Sequence, residues 1–361
     1  MSRTLGAACR APSIGAERTG PKLRPVCRGA LPPPEQHPPP GVRVRPATWA
    51  DLDRVVELLA GASRARTGAV IVRREDLRMR WLGLTGLEAT SLVEAEEDGE
   101  LLAYAAFDPL PAPWAGELEL HLDVQVHPAA TGRGLASHLF AIAEARARDA
   151  ATAHGLDRAR LQTTLTDGDD HARAFVARRG YTATRHLLEL RLDLHAPPPG
   201  AVWPVGVTWR SLDPERDARA VWQAHQAAFA DVATHLSLSL DEFVTDRLRP
   251  VPASEADLQL IAEHGDQIIA VALCRSGTGV AAEDGWVRDL GVVPNWRRRG
   301  VGMALLREAF ARFRGRGLTG VGLEVDDVTL DGAVALYRRA GMRIVRRTDV
   351  YERVFTGPRE S

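Results

Sequence analysis

Apolar and polar positions alternate in the same order twice along this chain. Gly41-Val-Arg-Val-Arg45 sets a valine at every second residue, as a half-buried strand requires, and Gly206-Val-Thr-Trp-Arg210 repeats the pattern. Both are followed by a polar break and a stretch with helical spacing. Leu92-Val-Glu-Ala-Glu-Glu-Asp-Gly-Glu-Leu-Leu-Ala103 and Leu260-Ile-Ala-Glu-His-Gly-Asp-Gln-Ile-Ile-Ala270 each consist of two apolar runs joined by a polar, glycine-containing turn. Each predicts a β-hairpin. Asp123-Val-Gln-Val-His-Pro128 and Asp289-Leu-Gly-Val-Val-Pro294 then predict strands that run into a glycine-containing turn and a long Ala/Leu-rich helix. An apolar strand (Leu161 to Leu165; Val321 to Val325), a short helix and a last strand complete each half. The last strand is entered through Arg178-Arg-Gly-Tyr181 in one half and Arg339-Ala-Gly-Met342 in the other.

The repeat, at a shift of about 165 residues, makes the fold class α+β. Two tandem domains are expected, each a mixed, mainly antiparallel central sheet flanked by helices. Their joint is placed at His195-Ala-Pro-Pro-Pro-Gly200, because consecutive prolines forbid both helix and central strand. The division is therefore a tail over 1–40, an N-terminal domain over 41–196 and a C-terminal domain over 197–361. The tail is rich in Pro, Gly and Ala without apolar period, and is expected to be disordered.

Composition narrows the function. With 361 residues, 45% hydrophobic and 26% charged, the chain is typical of a globular protein of about two domains. A formal net charge of -1 gives no global attraction to nucleic acid or to a membrane surface, so any anion site must be local. The three cysteines form no CxxC pair and the eleven histidines show no HExxH spacing; no metal is expected, and the default location is the cytoplasm.

The most informative stretch is Pro294-Asn-Trp-Arg-Arg-Arg-Gly-Val-Gly302 ahead of a helical stripe of Leu305, Leu306, Ala309, Phe310 and Phe313. Gly300 and Gly302 at a helix N-terminus let an anion approach unpaired amides, and Arg297, Arg298 and Arg299 add attraction. This combination predicts a diphosphate cradle comprising Arg297 to Gly300, Val301, Gly302 and Met303.

Arg297-x-x-Gly300-x-Gly302, the strand Leu323-Glu-Val325 and the segment Gly332-Ala-Val-Ala-Leu-Tyr-Arg-Arg-Ala-Gly-Met342 together resemble the GNAT superfamily of acyl-CoA N-acyltransferases. The resemblance covers residues 205–356 well and 42–195 more loosely, in the layout of tandem members. It implies an acetyl-CoA-dependent N-acetyltransferase in which an amine, most simply that of a small molecule, attacks the thioester within a ternary complex. Tyr337 matches the superfamily's acid for the departing thiolate. The strand amides of Leu290, Gly291 and Val292 would bind the thioester oxygen and pantetheine, with Thr329 where the superfamily often carries a pantetheine-binding Asn. A carboxylate must serve as base. Asp289 is the first candidate and Glu283 the second, while Asp284, Glu324 and Asp326 lie nearby; Asp123 at the matching place in the first half is equally compatible with a structural bond common to both.

The first half departs from the pattern at Thr131, in place of the leading Arg, and at Val176, in place of Tyr337. It is expected to support structure, shape the acceptor cleft or hold CoA without turnover. The rival readings are a non-catalytic acyl-CoA sensor or assembly module, which the presence of Tyr337 opposes, and an enzyme that modifies protein amines. The chain is expected to act as a monomer or homodimer.

Overall fold

In a computed structural model the residues described are 37–67, 72, 74–82, 90–109, 117–153, 156, 158–232, 237–249, 251–277, 284–327 and 332–356. The expected tail up to residue 36, Glu283 and Thr329 fall outside them. Among the described residues no helix is long and apolar enough to cross a membrane.

The N-terminal half runs β1 (Val42–Pro46), α1 (Leu52–Thr67), α2 (Arg74–Leu82), β2 (Thr90–Ala95), β3 (Leu101–Pro109), β4 (Glu117–Val126), α3 (Leu135–Ala153), β5 (Arg158–Thr166), α4 (Asp170–Arg178) and β6 (Thr182–Asp193). The C-terminal half repeats it with β7 (Val207–Ser211), α5 (Pro214–Phe229), α6 (Leu240–Phe243), β8 (Leu260–His264), β9 (Gln267–Ser276), β10 (Asp284–Val292), α7 (Val301–Gly315), β11 (Gly320–Asp326), α8 (Ala333–Arg339) and β12 (Arg343–Thr356). Both hairpins, the strand-to-helix turns and the closing strands stand where the apolar periods place them.

The two expected sheets are joined. One twelve-stranded sheet has the order β1-β2-β3-β4-β5-β12-β6-β11-β10-β9-β8-β7. Only β4–β5 and β10–β11 pair in parallel; the other ladders are antiparallel. The final strands are exchanged: β12 lies against β5 of the first half, and β6 lies against β11 of the second. The cores follow the exchange. Leu190 and Leu194 belong to the core of the C-terminal half, while Phe355 belongs to that of the N-terminal half under α3. Burying a side chain of that size contributes about 1.5–3 kcal/mol, so each half draws part of its stability from the other. Ion pairs cross the same seam, among them Arg160 to Glu352 at 2.8 Å and Arg185 to Asp326 at 2.8 Å.

Helices cover the sheet on both faces. α7 lays Leu305, Ala309, Phe310 and Phe313 on one face, in the stripe its sequence shows. α5 covers the opposite face, so closely that a Cβ at Gly291 would lie 2.9 Å from Ala228 and 2.8 Å from the Phe229 ring. Glycine at 291 is thus what lets α5 settle on β10.

Candidate active site

Strand β10 pairs with β11 only from Asp284 to Trp286; beyond that point the two diverge. A bulge between Val287 and Asp289 marks the point, and its extra residue turns Asp289 toward α5. The edge of β10 from Asp289 to Val292 therefore keeps backbone N–H and C=O groups without a ladder partner on the β11 side. Unpaired strand edges bind extended chains.

A cleft of about 850 Å³ opens at this divergence. Leu290, Gly291 and Val292 form one wall, Gly300, Gly302 and Met303 its end, and Leu336 and Tyr337 of α8 the other side. Ala228 and Phe229, from α5 on the opposite face of the sheet, line it too, so the cleft passes through the sheet. The expected cradle residues Arg297 and Arg298 also line it. Gly300 is the N-cap of α7 with φ 90°, a left-handed conformation that L side chains adopt only at a cost, and nothing lies within 4 Å of where its Cβ would be. The first amides of α7 face that open space without intrahelical partners, as an anion site requires.

The arginines divide their roles. Arg297 is a brace: its guanidinium meets Asp231 at 2.5 and 2.8 Å and donates to the carbonyls of Ala228 and Val292. Arg299 stacks over Trp296 with 5.0 Å to the ring centre. Arg298, held at φ 61°, lines the cleft itself, and Arg339 joins it there from α8. Sequence reasoning missed Arg339, Trp296, Phe229 and Ala228. Two of them left a trace: Arg339 as a basic residue in the last turn of a helix whose other residues were already singled out, and Trp296 inside the Pro294 to Gly302 stretch.

Tyr337 is buried on α8, and burial, with the Asp289 carboxylate adding to it, pushes its phenol up to about 12. The hydroxyl is therefore protonated throughout the neutral range. Asp289 has a different setting. Arg247 Nε stands 3.2 Å from its Oδ2 and His225 Nε2 stands 3.7 Å from its Oδ1, beyond ordinary hydrogen-bond length. Burial alone would raise its pKa, but His225, Arg247 and Arg288 outweigh burial and hold the carboxyl below its ordinary value. The N-terminal half has a counterpart: Arg80 meets Asp123 at 2.8 Å and Asp108 at 2.6 Å. An Arg–Asp pair thus recurs in a half that lacks the tyrosine.

On the face of the sheet reached through the cleft, β11 presents Gly322 and Glu324. Trp286 packs flat on Gly322, where a Cβ would come within 2.8 Å of the indole. Glu324 is exposed and has no hydrogen bond or ion pair among the described residues. Its ladder partner is Glu189 of β6, which is engaged by Arg346. Partial desolvation beside the sheet and the neighbouring Glu189 charge raise its pKa, against Arg346 and Arg185.

A helix N-terminus beside a splayed strand edge, with a protonated tyrosine across the gap, suits an acyl-CoA thioester, and this chain belongs to the acetyltransferase (GNAT) family, which it matches over residues 57–181 and again over 220–342. It is an N-acetyltransferase with an acyl-CoA as co-substrate. Relatives and solved structures match it across most of its length. The chain is 29% identical over 299 residues to the mycothiol acetyltransferase of Thermobispora bispora, covering 81% of this chain and 93% of the relative. Among solved structures it resembles a GCN5-related N-acetyltransferase from Sphaerobacter thermophilus, at TM-score 0.75 and 28% identity, covering 89% of this chain and 98% of that one. A tandem GNAT protein from the clavulanic acid biosynthesis pathway has the same fold, at TM-score 0.65 and 18% identity over 88% of this chain and all of that one.

Proposed function

We propose that the C-terminal half binds acetyl-CoA and transfers its acetyl group to the amine of a small molecule entering from the opposite face of the sheet. The observation that carries this reading is the through-sheet cleft: the β10 edge and the α7 N-terminus open on one side of it, and Ala228 and Phe229 of α5 line the other. The α7 amides with Arg298 and Arg339 would hold the diphosphate, and the β10 amides the pantetheine and the thioester oxygen. An amine nitrogen attacking the carbonyl carbon builds negative charge on that oxygen, where preset N–H dipoles stabilise it without reorganising. As the C–S bond breaks, Tyr337 is positioned to offer its proton to the sulfur. Its pKa of about 12 exceeds the roughly 8.5 of a thiol, so complete transfer from the phenol is uphill. The tyrosine therefore acts as a strong hydrogen-bond donor and relay, and the proton that ends on sulfur comes, on balance, from the amine.

The relatives' activity points to an acceptor of the mycothiol type as the first to try, followed by amino sugars, amino acids and a peptide N-terminus. The test is release of free thiol from acetyl-CoA by the full chain with each amine in turn. Amine-dependent release from a small acceptor is expected. Acetyl-CoA binding in calorimetry with no release from any amine would make the protein a binding module instead.

A further inference from the structure

The amine acceptor must lose a proton, and two carboxylates compete to take it. Asp289 lies 3.2 Å from the Arg247 guanidinium and 3.7 Å from His225, its pKa is held down, and an Arg–Asp pair, Arg80–Asp123, recurs in a half without Tyr337. Such a group stabilises a fold more readily than it binds a proton. Glu324 differs on each count.

The internal repeat isolates the difference. Tyr181 and Met342 are equivalent, since their N–H groups donate to the carbonyls of Val176 and Tyr337. Eight residues beyond each, Glu189 opposes Glu324 in the β6–β11 ladder, and Val350 opposes Thr164 in the β12–β5 ladder. Glu324 and Glu189 are thus replaced by Thr164 and Val350 in the half where Tyr337 is replaced by Val176. The aspartate is common to both halves; the glutamate occurs only with the tyrosine.

We infer that Glu324 takes the proton from the acceptor amine, directly or through one water, an assignment that rests on the acyl-transfer reading above. Glu324 takes one proton from the bound ammonium and passes it to solvent, which frees the nitrogen lone pair to form the N–C bond; as the C–S bond breaks, the second N–H proton leaves the nitrogen and the thiolate is protonated through Tyr337. The placement fits. Leu323 and Val325 point into the core, so Glu324 points to the opposite face, one strand from the exposed edge of β10. The charged groups facing it are Glu189 and Arg185 from β6, Arg346 from β12 and Asp326 on β11, while β10 contributes the uncharged Trp286. Arg346 is engaged by Glu189, and Arg185 by Asp326 and Gln162. The upward push on its pKa brings Glu324 closer to the operating pH, where a base works best.

The experiment uses the full chain, acetyl-CoA and an alkylamine that the wild type acetylates. Wild-type turnover is measured first, and its absence for every amine would overturn the acyl-transfer reading itself. Given turnover, Glu324→Gln should lower kcat/KM for the amine by about 10²- to 10⁴-fold near neutral pH, move the rise of kcat/KM with pH up toward the amine's own pKa of about 10, and leave the calorimetric Kd for acetyl-CoA unchanged. Hydroxylamine, already neutral at pH 7, should lose much less. Asp289→Asn should keep the rising limb. If Glu324→Gln folds poorly, Glu324→Thr, borrowed from Thr164, gives the same readout. A Glu324 variant that retains the rising limb at its wild-type pH with activity within about tenfold of wild type, or an Asp289→Asn protein whose limb moves up to the amine's own pKa, overturns the inference.

Discussion

The two halves share a strand and helix order, a glycine turn with left-handed Gly134 or Gly300, and a half-buried Arg–Asp pair, yet they differ where chemistry is demanded. The second half has Tyr337 and Glu324; the first has Val176 and Thr164 at those places. It also has Thr131 where Arg297 braces α5 against the cradle through Asp231. Features present in both halves therefore identify what the fold needs, and features present in one identify what the reaction needs.

The largest expected effect comes from breaking the pair apart. Residues 197–361 expressed alone lack β6, which leaves the β11 edge bare and removes Leu190 from the core. This fragment should aggregate or remain unfolded by circular dichroism, whereas co-expression with residues 1–196 should recover soluble protein. A well-folded, acetyl-CoA-binding fragment would make the exchange incidental.

Next come substitutions in one half. Gly300→Trp should abolish acetyl-CoA binding in calorimetry and destabilise the chain by about 1–2 kcal/mol, because residue 300 is left-handed. Gly134→Trp should spare most turnover at saturating acetyl-CoA. Tyr337→Phe should lower kcat about a hundredfold or more with little change in acetyl-CoA affinity; equal single-turnover rates would reduce Tyr337 to a core aromatic.

The paired aspartates should behave alike. Asp289→Asn and Asp123→Asn should each cost roughly 1–2 kcal/mol in chemical denaturation at pH 7, since each removes one of the two carboxylates its arginine meets, leaving Asp246 on Arg247 and Asp108 on Arg80. Both carboxyls are held below their ordinary pKa in the folded chain. Their contribution is therefore present above the unfolded value of about 3.9 and lost as the pH falls below it, so variants and wild type should converge in acid. The smallest effect is expected from Val176→Tyr. Turnover in a Tyr337→Phe background should not recover, because the first half still has Thr164; recovery would show that the tyrosine alone separates the halves.

Much of this was legible in the sequence because it is local. Strand and helix periods, the Gly300–Gly302 turn and the Leu336-Tyr337 helix depend on neighbours along the chain, and the internal repeat confirmed each reading a second time. Partner choice is not local. Nothing in the alternation of β6 or β12 says which strand lies beside it, so the exchange was invisible, and with it the Glu324–Glu189 contact. The same limit applies to Arg297, whose motif position suggested an anion ligand while its actual partner, Asp231, lies 66 residues earlier. Asp231 carries no motif to announce it.

The exchange also sets an order of assembly during synthesis. Arg160 and Glu352 touch across 192 residues of chain. The strand that closes the N-terminal sheet therefore leaves the ribosome long after β5, and until then β5 waits with an open edge and α3 with an incomplete floor beneath it. β6, by contrast, is made early and waits for β11. A ribosome stalled before β12 would hold both halves unfinished, and the chain becomes an enzyme only when β12 arrives.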